Sequence, residues 1–147
     1  MVTQTLHHSV PRKVAPAWAP AIVLVIDDDE HFRAMARCLL EQAGMSVLEA
    51  GSVQQGLNRM QCFAVDVVIL DLVMPDEDGI TGLRRIKAAY AGVKLIAVSG
   101  ARAWEPYLRA SALLGAHATL PKAYVEHLCP LVEQLLGSTN DGSPGMA

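Results

Sequence analysis

The 147-residue chain has no pair of cysteines two residues apart, no apolar run long enough to cross a bilayer and no basic helix. Each absence excludes a class. A membrane span needs roughly 20 consecutive apolar residues, and the longest runs here are far shorter. The first residues, Met1-Val2-Thr3-Gln4-Thr5, lack the basic start and apolar centre of a secretion signal. Three widely spaced cysteines, Cys38, Cys62 and Cys129, are an odd number. They fit reduced thiols that pack in a cytoplasmic protein better than a disulfide framework. His31, His117 and His127 show no ligand spacing with those cysteines, and His7-His8 alone makes no metal site. Lys and Arg number 12 against 15 Asp and Glu, for a formal net charge of -3. That balance argues against a nucleic-acid surface, which needs clustered cations. No repeat at solenoid spacing occurs either.

What is present is a globular composition, 52% hydrophobic and 18% charged, long enough for one core. Residues 1–20, with Pro11, Pro16 and Pro20, read as a flexible extension, and 137–147 as a flexible tail. The domain between them spans 21–136. Its pattern alternates. Ile22 to Ile26 reads as a strand. Phe32, Ala36, Leu39, Leu40 and Ala43 repeat at helical spacing up to Gly44. Ser46 to Glu49 is a short strand, and Ser52 can cap a helix running to about Met60. Val65 to Leu70 is a strand. Asp78 can cap a helix with Ile80, Leu83, Ile86 and Tyr90 on one face. Val93 to Val98 is a strand, and a helix from Trp104 to Leu114 stops at Gly115. His117 to Leu120 is the last strand. Val125, Leu128, Val132, Leu135 and Leu136 mark a single final helix. Five strands alternating with five helices, three of the strands nearly continuous Val/Ile/Leu runs, predict an α/β doubly wound parallel sheet.

Two acidic clusters follow two of these apolar runs: Asp27-Asp28-Asp29 after the first strand, and Asp71 after the third. Ligands collect at the C-terminal ends of strands in an open parallel sheet. Carboxylates at two such ends suggest a site for a hard cation and a carboxylate nucleophile.

The residues resemble a known family at four places in order: Val25-Ile26-Asp27-Asp28-Asp29, Leu70-Asp71 with Met74-Pro75-Asp76-Glu77-Asp78-Gly79, Ala97-Val98-Ser99-Gly100-Ala101, and Leu120-Pro121-Lys122. The chain is similar to the receiver domain of a two-component response regulator over essentially all of 21–136. The resemblance implies a flavodoxin-like sheet of order 2-1-3-4-5. It implies a phosphoryl group accepted on Asp71 from a histidine kinase or histidine phosphotransfer protein. It implies a magnesium ion bound by Asp28 and Asp71, by Asp27 through water and by the Val73 carbonyl. Ser99 and Lys122 would contact the phosphoryl oxygens. Such a protein is a self-phosphorylating switch rather than an enzyme. It would act on a downstream protein, or as a homodimer, through its fourth helix, fifth strand and fifth helix. No membrane or nucleic acid is expected to bind this domain. Kinase specificity is expected on the first helix, around Phe32, Arg33 and Arg37, and Trp104 is expected to report the switch. With so little chain beyond the fifth helix, the expectation is a stand-alone receiver or a piece of a longer protein.

Singly, each residue has a plainer reading. Asp27, Asp28 and Asp29 could cap the first helix. Asp76, Glu77 and Asp78 read as turn and cap, without a site role. Ser99 could be a strand-end hydroxyl and Lys122 a solvated surface lysine. Two departures from the family also stand out. Ala123 follows Lys122 where the family has proline after a cis bond, so either the bond is trans or a cis form is kept at a cost of about 2.5–4 kcal/mol. Thr119 occupies the place of a switching aromatic. These leave a pseudo-receiver, a constitutive interaction module, as the alternative. An aspartyl phosphatase of the haloacid dehalogenase type needs a second Asp two positions after the nucleophile, and Val73 is there instead.

Overall fold

The computed structural model describes residues 18–75, 77–100 and 104–137, with only the backbone at Trp104. The expected flexible ends, 1–20 and 137–147, therefore lie almost wholly outside the described residues. The strands are β1 (Ile22–Ile26), β2 (Ser46–Ala50), β3 (Val67–Asp71), β4 (Lys94–Ser99) and β5 (Ala118–Pro121). The helices are α1 (Glu30–Gln42), α2 (Val53–Cys62), α3 (Gly79–Ala89), α4 (Trp104–Leu113) and α5 (Leu128–Gly137). All pairings are parallel and the sheet order is β2-β1-β3-β4-β5, as expected.

Alternation along the strands builds two cores. Leu24, Ile26, Val68, Leu70, Leu95 and Ala97 point to one face, where Val53, Leu83, Ile86 and Leu108 of α2, α3 and α4 cover them. Val23, Val25, Val67, Ile69, Ile96 and Val98 point to the other, under Phe32, Ala36 and Leu40 of α1 and Leu128 and Val132 of α5. Burying both faces removes these side chains from water, at about 25 cal/mol per Å² of apolar surface, and explains the lack of polar residues inside β1, β3 and β4.

The helix starts follow their caps. Asp29 accepts from the His31 N–H, Ser52 from the Gln55 N–H and Asp78 from the Ile80 N–H. Gly44 and Gly115 end α1 and α4 with φ of 85° and 104°, a backbone region that favours glycine.

Several boundaries differ from expectation by one or two residues, and the final helix is broken. β3 starts at Val67, not Val65: the Asp66 backbone still bonds to Ile22 and Lys94, but the Ile22 N–H is taken by the Asp66 carboxylate. The final helix is two pieces: a 3-10 segment (Lys122–His127) precedes α5, with Tyr124 at φ -106°, ψ 32° between helical residues. Pro130 accounts for the break. A continuous helix would drive its ring into the carbonyl of Glu126 and leave that carbonyl without a donor; in α5, Pro130 sits in the first turn, where neither penalty applies.

Candidate functional site

Strand order reverses at β1, whose neighbours are β2 on one side and β3 on the other. A crevice opens there, beyond the C-terminal ends of the strands. Asp27, the residue after β1, is fully buried. Its N–H donates to the Ala50 carbonyl at 3.0 Å, and its Oδ1 accepts the Asp29 N–H at 2.9 Å. Asp29 points the other way, as the α1 cap. The plain capping reading thus holds for Asp29, while Asp27 and Asp28 face the crevice. Asp71 closes β3 and is 2% exposed. Its Oδ1 accepts the Val73 N–H at 3.0 Å, which turns the chain over the carboxylate, and Val73 then bridges to Asp78. Asp27, Asp28 and Asp71 each offer an oxygen within 4.8 Å of the others'.

Lys122 reaches this cluster from β5. Its Nζ lies 2.6 Å from Asp27 Oδ2 and 3.2 Å from Asp71 Oδ2, and 4.8 Å above the ring of Phe32. The Asp27 oxygen is buried and has no directional hydrogen bond, so its contact with Lys122 is charge against charge. No described peptide bond is cis, so Lys122 makes both contacts with a trans bond to Ala123. Gly100 makes room for the lysine stem, since a Cβ there would stand 3.1 Å from Lys122 Cδ. Ser99 is fully buried at the end of β4, one residue beyond the Val98 that pairs with Asp71.

Charge balance here is strained. Burial pushes Asp71 up from 3.8 to about 6; the Val73 N–H opposes that, the Asp27 charge adds to it, and Lys122 opposes it. Burial alone would pull Lys122 down, but Asp27 and Asp71 together outweigh it and hold the ammonium above its ordinary value. One lysine therefore serves at least two carboxylates, and a further positive charge would be welcome. Magnesium takes hard oxygen ligands and keeps several waters. Three clustered carboxylates, two of which share one ammonium, fit that ion.

The expected acidic residues and Lys122 come together at the C-terminal ends of the strands. Phe32 is buried under Lys122 and cannot be read by a partner. Arg33 is largely covered where it pairs with Glu49, whereas Arg37 pairs with Glu49 and Glu41 and keeps 42% of its side chain exposed. The apolar side chain that α1 does expose is Met35, at 45%. The burial of Phe32, Ala36 and Leu40 follows the helical spacing of the apolar residues along α1. On α4, Leu108 is buried and Tyr107 is 43% exposed, so Tyr107 does not pack wholly on the sheet. The side chain of Trp104 lies outside the described residues.

An open parallel sheet of order 2-1-3-4-5 with a lysine-bridged acidic crevice defines a class of small α/β domains. The family model for the response regulator receiver domain matches residues 23–132. The KDP operon transcriptional regulatory protein KdpE of Escherichia coli (strain K12) is 38% identical over 77 residues, 52% of this chain and 34% of its own length. The sensor kinase CckA of Brucella abortus (strain 2308) is 34% identical over 121 residues, 79% of this chain and 12% of its own. Among solved structures, a response regulator receiver domain protein from Clostridium thermocellum superposes with a TM-score of 0.73 at 30% identity, covering 80% of this chain and 94% of that one. The chain belongs to the response regulator receiver domain family. It spans 34% and 12% of the length of these two curated relatives. Among the described residues, no helix is long and apolar enough to cross a membrane.

Proposed function

We propose that the protein is a phosphorylation-driven switch whose acceptor is Asp71. The observation that carries this reading is the meeting of Asp27, Asp28, Asp71 and Lys122 at one strand edge. An Asp71 carboxylate oxygen attacks the phosphorus of a phosphohistidine, the P–N bond breaks, and the imidazole leaves after taking a proton. An acyl phosphate remains on Asp71. Such transfers need alignment and charge stabilisation more than covalent work by the protein. Lys122 supplies positive charge on a flexible stem, and Ser99 supplies a hydroxyl donor to the phosphoryl oxygens. Asp27, Asp28, Asp71 and the Val73 carbonyl would hold magnesium, which neutralises charge on the transferring group when bound.

The donor is a histidine kinase or a histidine phosphotransfer protein in a two-component system of the cytoplasm. Movement of Ser99 toward the phosphoryl group reshapes the face of α4, β5 and α5, where a downstream protein or a second copy docks. The test is incubation with acetyl phosphate and magnesium, read by intact mass. Wild type gains one phosphoryl group that acid or base removes, and Asp71→Asn gains none. Labelling of Asp71→Asn at wild-type level moves the acceptor elsewhere. No labelling of wild type by acetyl phosphate or by a kinase makes the protein a pseudo-receiver.

A further inference from the structure

The acidic cluster is held unevenly. Asp27 is fixed through the Asp29 N–H and Lys122, and Asp71 through the Val73 N–H and Lys122. The exposed Asp28 carboxylate makes no hydrogen bond or ion pair with any described residue, so only its backbone aims it. That backbone is clamped from one side. Arg33 Nη1 donates to the Asp27 carbonyl at 2.6 Å, across the peptide that joins Asp27 to Asp28. The Asp27 N–H is meanwhile fixed to Ala50. Arg33 is in turn held by Glu49 on β2, through Nε at 3.2 Å. Glu49 also pairs with Arg37, which donates to the Val47 carbonyl at 2.9 Å and pairs with Glu41. The result is a chain of alternating charge, Glu41–Arg37–Glu49–Arg33, that ends on the peptide between the two crevice aspartates. A groove of about 540 Å³ lined by His31, Arg33, Gln55 and Arg59 lies alongside. Without Glu49 the guanidinium has room to leave.

We propose that Arg33 is a positioning residue for the acidic site, locking the Asp27–Asp28 peptide so that Asp28 presents its carboxylate beside Asp71. The inference rests on the magnesium site described above. Its sign separates it from simple electrostatics. Arg33 is a cation near a cation site, so deleting its charge alone would tighten magnesium binding. Deleting a clamp loosens it, and outer-shell partners of metal ligands are typically worth 10–100-fold in affinity.

Magnesium alone is titrated into wild type, Asp28→Asn, Arg33→Ala and Arg33→Lys, with urea unfolding in EDTA as the check on folding. Affinity falls roughly tenfold in Arg33→Ala. It recovers part-way in Arg33→Lys, which keeps a donor for the Asp27 carbonyl but cannot also grip Glu49 in a fixed fork. In EDTA, the backbone amide resonance of Asp28 shifts in Arg33→Ala while that of Val73, across the crevice, stays in place. Should Arg33→Ala not fold, Arg33→Lys carries the test, with an expected loss of about threefold. Unchanged or tighter binding in the folded Arg33 variants, with Asp28→Asn weakened, overturns the positioning role and leaves the site standing. Unchanged binding in Asp28→Asn overturns the site and this inference with it.

Discussion

Asp71 should cost the metal-free protein stability, and Asp71→Asn should recover part of it. The carboxylate is buried against Asp27, which lifts it from 3.8 to about 6. At about 1.4 kcal/mol per tenfold change in proton affinity, the ionised form is disfavoured in the fold by at most about 3 kcal/mol. Lys122 retains Asp27 when Asp71 is neutralised, and the amide oxygen still accepts from Val73, so part of the balance is unchanged. The expected gain is about 1–2 kcal/mol at pH 7.5. The folded value lies above the unfolded one, so the stabilising contribution of Asp71 is fully present below pH 3.8 and is lost as pH rises through about 6. The gap between variant and wild type is therefore widest above pH 7 and narrows as pH falls from 6 toward 4. The assay is urea unfolding of both proteins in EDTA across that range, where other carboxylates are common to both and cancel. Saturating magnesium should close the gap from the wild-type side, because only wild type keeps the full ligand set. A variant less stable than wild type at pH 7.5 in EDTA, or a gap that ignores pH, refutes the reasoning.

Lys122→Met should bind magnesium roughly tenfold more tightly in a direct titration, since the ammonium that already neutralises Asp27 and Asp71 is gone; weaker binding would mean that the lysine orders the site more than it competes for it. Gly79→Ala should lose about 2 kcal/mol or more in urea unfolding, because the added Cβ would stand 2.3 Å from the backbone Cα of Leu72; wild-type stability would show that the loop after β3 does not press on α3.

Much of this fold was readable from hydrophobic pattern and punctuation. β1 and β4 are apolar runs because they lie mid-sheet with both faces covered, and Asp29, Ser52, Asp78, Gly44 and Gly115 mark helix ends through chemistry local to each residue. Pattern failed where a long-range contact outvoted it. Val65 continues the apolar run of β3, yet Asp66 is committed to Ile22, 44 residues away. Val125 keeps helical spacing with Leu128 and Val132, but the alternating core contacts say nothing of the break that Pro130 enforces.

The site divides the same way. Asp27, Asp28 and Asp71 were legible because strand ends are fixed by the sheet, and a carboxylate directly after an apolar run has few other places to go. Which of three consecutive aspartates would cap α1 was not legible, because each has the right chemistry and only backbone direction chooses Asp29. The reach of Lys122 was in doubt from Ala123, since a missing proline removes the residue that usually sets the loop. Pro121 offers a physical reason why the reach survives. It holds φ at -62° immediately before the lysine and pairs in register with Ser99, so the lysine leaves β5 at a fixed angle from the upstream side rather than the downstream one. Phe32 beneath the stem and Gly100 beside it then close the remaining directions. A rigid residue on either side of a flexible one can define its trajectory, and here the constraint has moved by one position while the ammonium still spans Asp27 and Asp71.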